Sequence, residues 1–532
     1  MYGKLYSACL YGIDGVLIEV EVDLSSGIPQ TNVVGLPDSA VREAVDRVRA
    51  AIKNCGLAFP LQRVTINLAP ADLRKEGAAF DLAIALGILY ASRQIILPGH
   101  EKILIIGELS LDGALRGVPG VLPMVDLARR RGFQAVLIPE ENVAEALLLD
   151  GITVYGLRHL NELIPEGVNP GETGKEGIVL ESLSHLERRR ESKPAALFGE
   201  PGPSPRTQAE NYSDVLGQRH IKRALTIAAA GMHNIMLIGP PGTGKTMLIR
   251  RLPSILPPLT PAESLEVTKI YSSAGKLKQL DSGLITRRPF RAPHHTISAG
   301  GLIGGGSIPK PGEVSLAHRG ILFLDELPEF SRQALEVLRQ PLEERIVTIS
   351  RSRASFTYPA HFLLAVSLNP CPCGYFGSEP PQPACTCTPF RIAQYREKIS
   401  GPLLDRIDMH VEVPRPSGWQ EDKHPLSSEE MREEVEKAEY AQIRRYRGHS
   451  ISRNSELSGS YLRRFAKLHP DAGQLLKTSF DALGLSMRAY DRIIKLSRTI
   501  ADLEGAAEIL PAHVAEAIQY RQLDQRPQDV SG

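Results

Sequence analysis

One short loop constrains this chain more than anything else in it. Residues 234–238 are an apolar strand-like run, residues 239–246 read GPPGTGKT, and residues 247–252 continue as a helix. This is G-x-x-x-x-G-K-T in the strand–loop–helix setting that gives the pattern its meaning. Gly239, Pro240, Pro241, Gly242, Thr243 and Gly244 form the cradle, the glycines letting backbone N–H groups close on a phosphate. The helix that follows aims the positive end of its dipole at the same point. Lys245 is positioned to reach the β- and γ-phosphates and Thr246 to bind Mg²⁺. Such a loop sits at the edge of a parallel sheet, so an α/β fold is expected.

Two further strands supply the rest of a hydrolytic site. Residues 321–324, ILFL, run into Asp325-Glu326. Four apolar residues ending in two carboxylates fit a buried parallel strand emerging at its C-terminal edge, where ligands bind. Asp325 is expected to hold Mg²⁺ through water, and Glu326 to orient or deprotonate an attacking water. Residues 362–368 form a third apolar run ending at Asn369, a polar group placed to position the same water. The three elements together predict a Mg·ATP hydrolase.

Charge and composition narrow the partners. Lys plus Arg number 62 against 61 acidic residues, a net charge of +1, which excludes a generic polycation. Binding to nucleic acid must then come from local clusters. No segment reaches the ~18–20 uncharged apolar residues that span a bilayer. The opening residues read as an alternating, charged strand rather than a signal peptide. A cytoplasmic protein with no membrane partner is expected.

The chain divides by pattern. Residues 1–164 mix strands and helices. Residues 165–210 are rich in Pro, Gly and charge, and read as an exposed interdomain linker with room for one short helix. Residues 211–414 alternate strands and helices again, and residues 415–532 are mainly helical.

Four of the six cysteines, Cys371, Cys373, Cys385 and Cys387, form C-x-C-x₁₁-C-x-C. Four thiolates can close a tetrahedral structural zinc site, although C-x-C is tighter than the usual C-x₂₋₄-C. Free thiols and redox pairing are the alternatives. The intervening GYFGSEPPQPA cannot build a core, and a metal can supply ~10–16 kcal/mol toward ordering it. Cys9 and Cys55 read as small buried hydrophobes.

The series of loop, carboxylate pair and terminal Asn resembles the AAA+ ATPases, and more narrowly their magnesium-chelatase-like branch. The matching features are PFRAPHH at 289–295, GEVSLAHRG at 312–320 leading into ILFLDE, and LLDRID at 403–408. Over its whole length the chain is similar to the ComM/YifB family. That resemblance implies a Lon-protease-like, S5-type α+β N-terminal domain, a central AAA+ P-loop α/β domain with a Cys-rich insertion at 371–387, and a C-terminal helical lid. It also implies a homo-hexameric ring with ATP between subunits. Arg406 in LLDRID aligns with the arginine finger donated to a neighbour's ATP, and Arg488 in LSMRAYDR with the second sensor on the lid. The chelatase motors have a shorter connection between Asn369 and Arg406, so the insertion argues against simple chelatase function.

Residues 345–359, RIVTISRSRASFTYP, read as a β-hairpin with a basic tip at Arg351 and Arg353. It resembles the pore-facing hairpin of related DNA motors, where repeated tips make a ring of cations that binds phosphate in a salt-dependent way. Arg287, Arg288 and Arg291 beside His294-His295, and the Arg74-Lys75 pair, are secondary candidate contacts. No base-reading motif is present, so single-stranded or branched DNA would be held by backbone and shape. The segment ADLRKEGAAFDLAIA at 71–85 resembles the Lon active region, with Ala78-Ala79 where the nucleophilic Ser would stand. No Lys occurs between Lys102 and Lys175 to serve as its partner. An inactive protease-like domain is expected. The resemblance implies a DNA helicase for branch migration during natural transformation. The rival readings are an ATPase remodelling a protein partner and a metal-chelatase-type motor.

Overall fold

The computed structural model describes residues 1–73, 75, 77–97, 99–163, 178–179, 183–189, 210–277, 283–306, 309–351, 354–377, 383–415 and 424–521. Two large sheets organise them. The first has eight strands in the order Glu187–Arg188, Thr153–Leu157, Ala135–Pro139, Ile103–Ile105, Tyr2–Tyr11, Asp14–Ser25, Arg63–Ala69, Gln30–Val34. It is mixed: Asp14–Ser25 runs antiparallel to both neighbours, while Gln30–Val34 joins Arg63–Ala69 in parallel. Arg63–Ala69 buries every second residue, the period-two pattern of a strand with one face on a core. Against the sheet lies Ser39–Asn54, whose N-cap Asp38 accepts the Val41 amide. Its buried Val41, Ala44, Val45, Val48 and Ile52 recur at helical spacing.

The second sheet is all parallel, in the order Phe290–Arg291, Ile321–Leu324, Leu363–Leu368, Ile235–Ile238, Met409–Glu412. Three of these strands, Ile235–Ile238, Ile321–Leu324 and Leu363–Leu368, are buried at every position, which is why they read as unbroken apolar runs. Chain order and sheet order differ. Leu363–Leu368, the later strand, lies between Ile235–Ile238 and Ile321–Leu324.

Among the described residues five helices of more than one turn follow: Ser428–Tyr446, Gly459–Phe465, Pro470–Leu483, Met487–Leu503 and Pro511–Gln519. They do not stand apart. Met431, Val435, Leu496 and Ile500 share one buried cluster with Ile227 of helix Arg219–Gly231 and Leu237 of the second sheet. Among the described residues no helix is long and apolar enough to cross a membrane.

Within 165–210, expected to be an exposed linker, the described residues 178–179 and 183–189 are folded. Ile178–Val179 pairs with Ile95–Ile96, and Glu187–Arg188 forms the edge of the first sheet beside Thr153–Leu157. Leu183 and Leu186, three apart on one turn, carry the apolar surface that seats this edge; Leu186 is 1% exposed. Arg188 is held by Glu140 at 3.0 Å.

The two sheet units touch at named points. Buried Asp126 pairs with buried Lys269, and Ser272 bonds Glu145. Tyr11 at the first hairpin turn donates to Ser355 O at 2.9 Å, and its ring lies 4.8 Å from that of Phe356.

Candidate active site and cysteine cluster

The phosphate loop closes around its own lysine. Gly242 and Gly244 take φ of +78° and +84°, left-handed values that favour glycine. From Gly244 the chain turns straight into helix Lys245–Arg250, two residues earlier than the sequence pattern suggested. Gly239 is needed for a different reason. A Cβ there would stand 2.2 Å from Val413 O. Lys245 is buried and donates to Gly239 O at 2.6 Å, Pro240 O at 2.9 Å and Asn369 Oδ1 at 3.2 Å. Burial lowers its pKa, with Asp325 and Glu326 opposing that shift.

The sheet order explains what meets this loop. Thr246 Oγ1 donates to Asp325 Oδ2 at 2.9 Å. Asp325 lies two strands away, across Leu363–Leu368. That middle strand contributes Ser367, whose hydroxyl bonds the other Asp325 oxygen and accepts the Glu326 amide at 3.3 Å. Ser367 is 1% exposed and was missed in the sequence reading. The available signal was a hydroxyl interrupting an apolar strand one step before its end. Glu326 is exposed and takes a left-handed φ of +54°, a conformation that costs a non-glycine residue ~1–3 kcal/mol and clusters at functional sites. Gln218, also left-handed at +53°, reaches Thr243 O at 3.2 Å.

The structure thus brings together Lys245, Thr246, Asp325, Glu326 and Asn369. It does not bring the two arginines to them in this chain. Arg406 bonds Pro402 O at 2.5 Å and pairs with Glu343. Arg488, in the first turn of Met487–Leu503, is exposed and pairs at 3.7 Å with Asp405, the residue before Arg406.

The candidate DNA contacts separate. Ile346–Arg351 and Ala354–Pro359 pair antiparallel up to Arg351↔Ala354, as the hairpin reading requires. Arg353 and the side chain of Arg351 lie outside the described residues, as does Arg74. Lys75 is corrected: it is fully buried with its ammonium on Pro70 O, because the loop folds its side chain inward. Arg288 and Arg291 are corrected too. Arg288 is 9% exposed and caps Pro257 O and Arg319 O, and Arg291 is bidentate to Glu313 at 2.5 and 2.9 Å. Arg287 remains exposed.

Two donor sets fit a metal. Thr246 and Asp325 offer hard oxygen atoms, the chemistry that suits Mg²⁺. The sulfurs of Cys371, Cys373, Cys385 and Cys387 all lie within 4.8 Å of one another, and a soft set of four suits zinc. Cys373 is lowered to about 6, first by hydrogen bonding to the backbone at Tyr375 and further by the Cys371 and Cys387 thiols. Cys9 and Cys55 are buried, and burial raises Cys55 to about 11.

Comparison with known proteins places this geometry. The family model for magnesium chelatase, subunit ChlI, matches residues 211–420, a second ChlI model matches 20–142, and the ChlI C-terminal model matches 425–521. The competence protein ComM of Haemophilus influenzae is 42% identical over 520 residues, 97% of each chain. The YifB protein of Salmonella typhimurium is 41% identical over 524 residues, 98% of this chain and 97% of its own. Lon protease 2 of Bacillus subtilis is 27% identical over 188 residues, about a third of either chain. Full-length identity to ComM and YifB, with chelatase models matched along the chain, makes this protein a member of the ComM/YifB family of magnesium-chelatase-like AAA+ proteins.

Proposed function

We propose that the protein is an ATPase that drives a ring-forming DNA motor, a helicase for branch migration in recombination during natural transformation. The observation that carries the ATPase is the convergence of Lys245, Thr246, Asp325, Glu326 and Asn369 at one sheet edge. The DNA role is supported by the paired hairpin over 346–359 and by the relative named as a competence protein. Lys245 would leave the carbonyls of Gly239 and Pro240 for the β- and γ-phosphates. Thr246 and Asp325 would hold Mg²⁺, which when bound neutralises phosphate charge. Glu326, whose amide is anchored on the Ser367 hydroxyl, would take the proton of the attacking water. Asn369 would orient that water or the γ-phosphate.

The remaining roles follow from the same reading. The division is 1–164 as a Lon-protease-like domain without protease activity, 165–210 as connection, 211–414 as ATPase and 415–532 as lid. Arg406 would exchange Glu343 for a neighbour's ATP in a homo-hexamer, and Arg488 would sense the γ-phosphate within its own subunit. Arg351 and Arg353 would contact DNA in the pore, in the cytoplasm. A second reading, a chelatase-type or protein-remodelling motor, is favoured by the chelatase models matched over all three regions.

The test is ATPase rate with and without single-stranded and forked DNA, at low and moderate salt. Salt-sensitive stimulation is expected. Intact ATPase without stimulation would favour the second reading. Lys245→Ala should abolish nucleotide binding. Glu326→Gln should bind ATP but lose turnover, by the ~10²–10⁴-fold typical of a general base. Normal turnover in that variant would remove Glu326 from its role.

A further inference from the structure

We infer that the four cysteines form a zinc clamp on the nucleotide site, so that zinc and nucleotide bind cooperatively. This rests on the reading of residues 239–246 as a nucleotide site.

The thiols are already spaced as ligands. Cys371 Sγ lies 3.2 Å from Cys373 Sγ and 3.7 Å from Cys385 Sγ, and Cys373 and Cys385 are 3.5 Å apart. A tetrahedron with Zn–S bonds of ~2.3 Å has S–S edges of about 3.8 Å. None of the cysteines is in a disulfide.

The cluster is joined to the nucleotide site from two sides. On the first, strand Leu363–Leu368 ends, Asn369 accepts from Lys245, and Cys371 follows after one proline. The turn that supplies Cys371 and Cys373 is closed by Gly374 N donating to Cys371 O at 3.0 Å. Gly374 has φ +88° and stands directly against the phosphate loop. A Cβ on it would lie 2.6 Å from Pro241 Cδ. On the second side, Thr388, the residue after Cys387, caps helix Pro389–Glu397. That helix carries Tyr395, which is 9% exposed, with its hydroxyl against the backbone of Asn369. One ion bound to all four thiols therefore ties the end of the strand, the flank of the phosphate loop and the helix that backs Asn369.

The sequence of 374–384 holds few apolar side chains, and among its described residues Phe376 is 41% exposed and Pro383 and Ala384 are exposed. A metal that fixes the turn before nucleotide arrives removes part of the ordering cost from nucleotide binding. By linkage, nucleotide then tightens the metal by the same factor.

The experiment uses the full chain, with elemental analysis for zinc, a chromogenic chelator to follow zinc release, and a fluorescent ATP analogue with Mg²⁺ to measure binding. About one zinc per chain is expected. Stripping zinc should weaken analogue binding about tenfold, inside the range common for coupled sites, and added zinc should restore it. Saturating analogue should slow zinc release. Gly374→Val keeps all four thiols but strains the turn at φ +88° and crowds Pro241, so it should loosen zinc and weaken analogue binding together. Removal and restoration on the unmutated chain decides the matter even if that variant misfolds. A chain without zinc, or one that binds the analogue equally well stripped and loaded, overturns the clamp. A zinc-loaded chain that does not bind the analogue overturns the nucleotide reading itself.

Discussion

At the scale of single residues, the site is held by a hydroxyl that no motif names. Ser367 spans Asp325 and the Glu326 amide, so it fixes both carboxylate-bearing positions from the strand between them. Ser367→Ala removes two hydrogen bonds near the Mg²⁺ ligands while leaving the apolar strand intact. Each such bond is worth about 1 kcal/mol net, so a modest loss of stability is expected. The larger effect should fall on turnover, with a higher Mg²⁺ concentration needed for half-maximal rate. A Mg²⁺ titration of ATPase checks this; an unchanged midpoint would make Ser367 merely structural. Lys245, Thr246, Asp325, Glu326 and Asn369 were all legible in the sequence because each sits at a fixed offset from an apolar strand. Ser367 was not, because its role depends on which strands are neighbours.

At the scale of elements, the hairpin over 346–359 and the helix Met487–Leu503 carry the two arginine-based proposals. The hairpin is a regular antiparallel pair whose base is fixed by Tyr358 donating to Pro309 O at 2.8 Å. Replacing Arg351 and Arg353 by Ala should leave that base intact and basal ATPase unchanged. DNA stimulation should fall, and the log–log salt dependence of DNA binding should become shallower by about one per lost phosphate contact. A filter-binding series in salt measures the slope. Equal slopes would mean the tip does not touch phosphate. The secondary cationic surfaces failed at this scale. Lys75, Arg288 and Arg291 are spent on carbonyls and a carboxylate inside the fold, which a count of basic residues cannot reveal.

At the scale of the whole molecule, Asp126 and Lys269 join the two sheet units through a pair in which both side chains are at least nine-tenths buried. Asp126 also holds Arg129 at 2.9 Å and Arg130 at 2.5 Å. The two halves of the pair are therefore unequal. Asp126→Asn leaves Lys269 buried without a counter-charge, a change that costs ~3–5 kcal/mol where measured. Lys269→Met leaves Asp126 with two arginines, so it should cost less. Thermal melts at pH 7 compare them, and a larger loss in Lys269→Met would refute the assignment. The pH sign can be worked out. Burial would raise the Asp126 pKa, but Lys269 and the arginines outweigh it and hold the pKa below its ordinary value. Its stabilisation is thus complete above the unfolded value of about 4 and is lost as pH falls further. The melting gap between the original chain and Asp126→Asn should close at acid pH.

The sequence by itself determined the local chemistry: the phosphate loop, the carboxylate pair, the terminal Asn and the four thiols. Each is set by residue type and spacing within one element, where backbone geometry leaves few choices. It also carried the buried strands that bear these residues and the basic hairpin, since hydrophobic period follows backbone period. The tertiary structure decided what lies beside what. Strand order put Ser367 between Asp325 and the phosphate loop, and folding put Gly374 against Pro241. It turned Lys75 inward, seated Leu186 under a sheet edge within the expected linker, and merged the C-terminal helices into the core of the second sheet. Except for Lys75 on Pro70, these contacts join residues far apart in the chain. Their energies depend on burial and neighbours that no local pattern encodes.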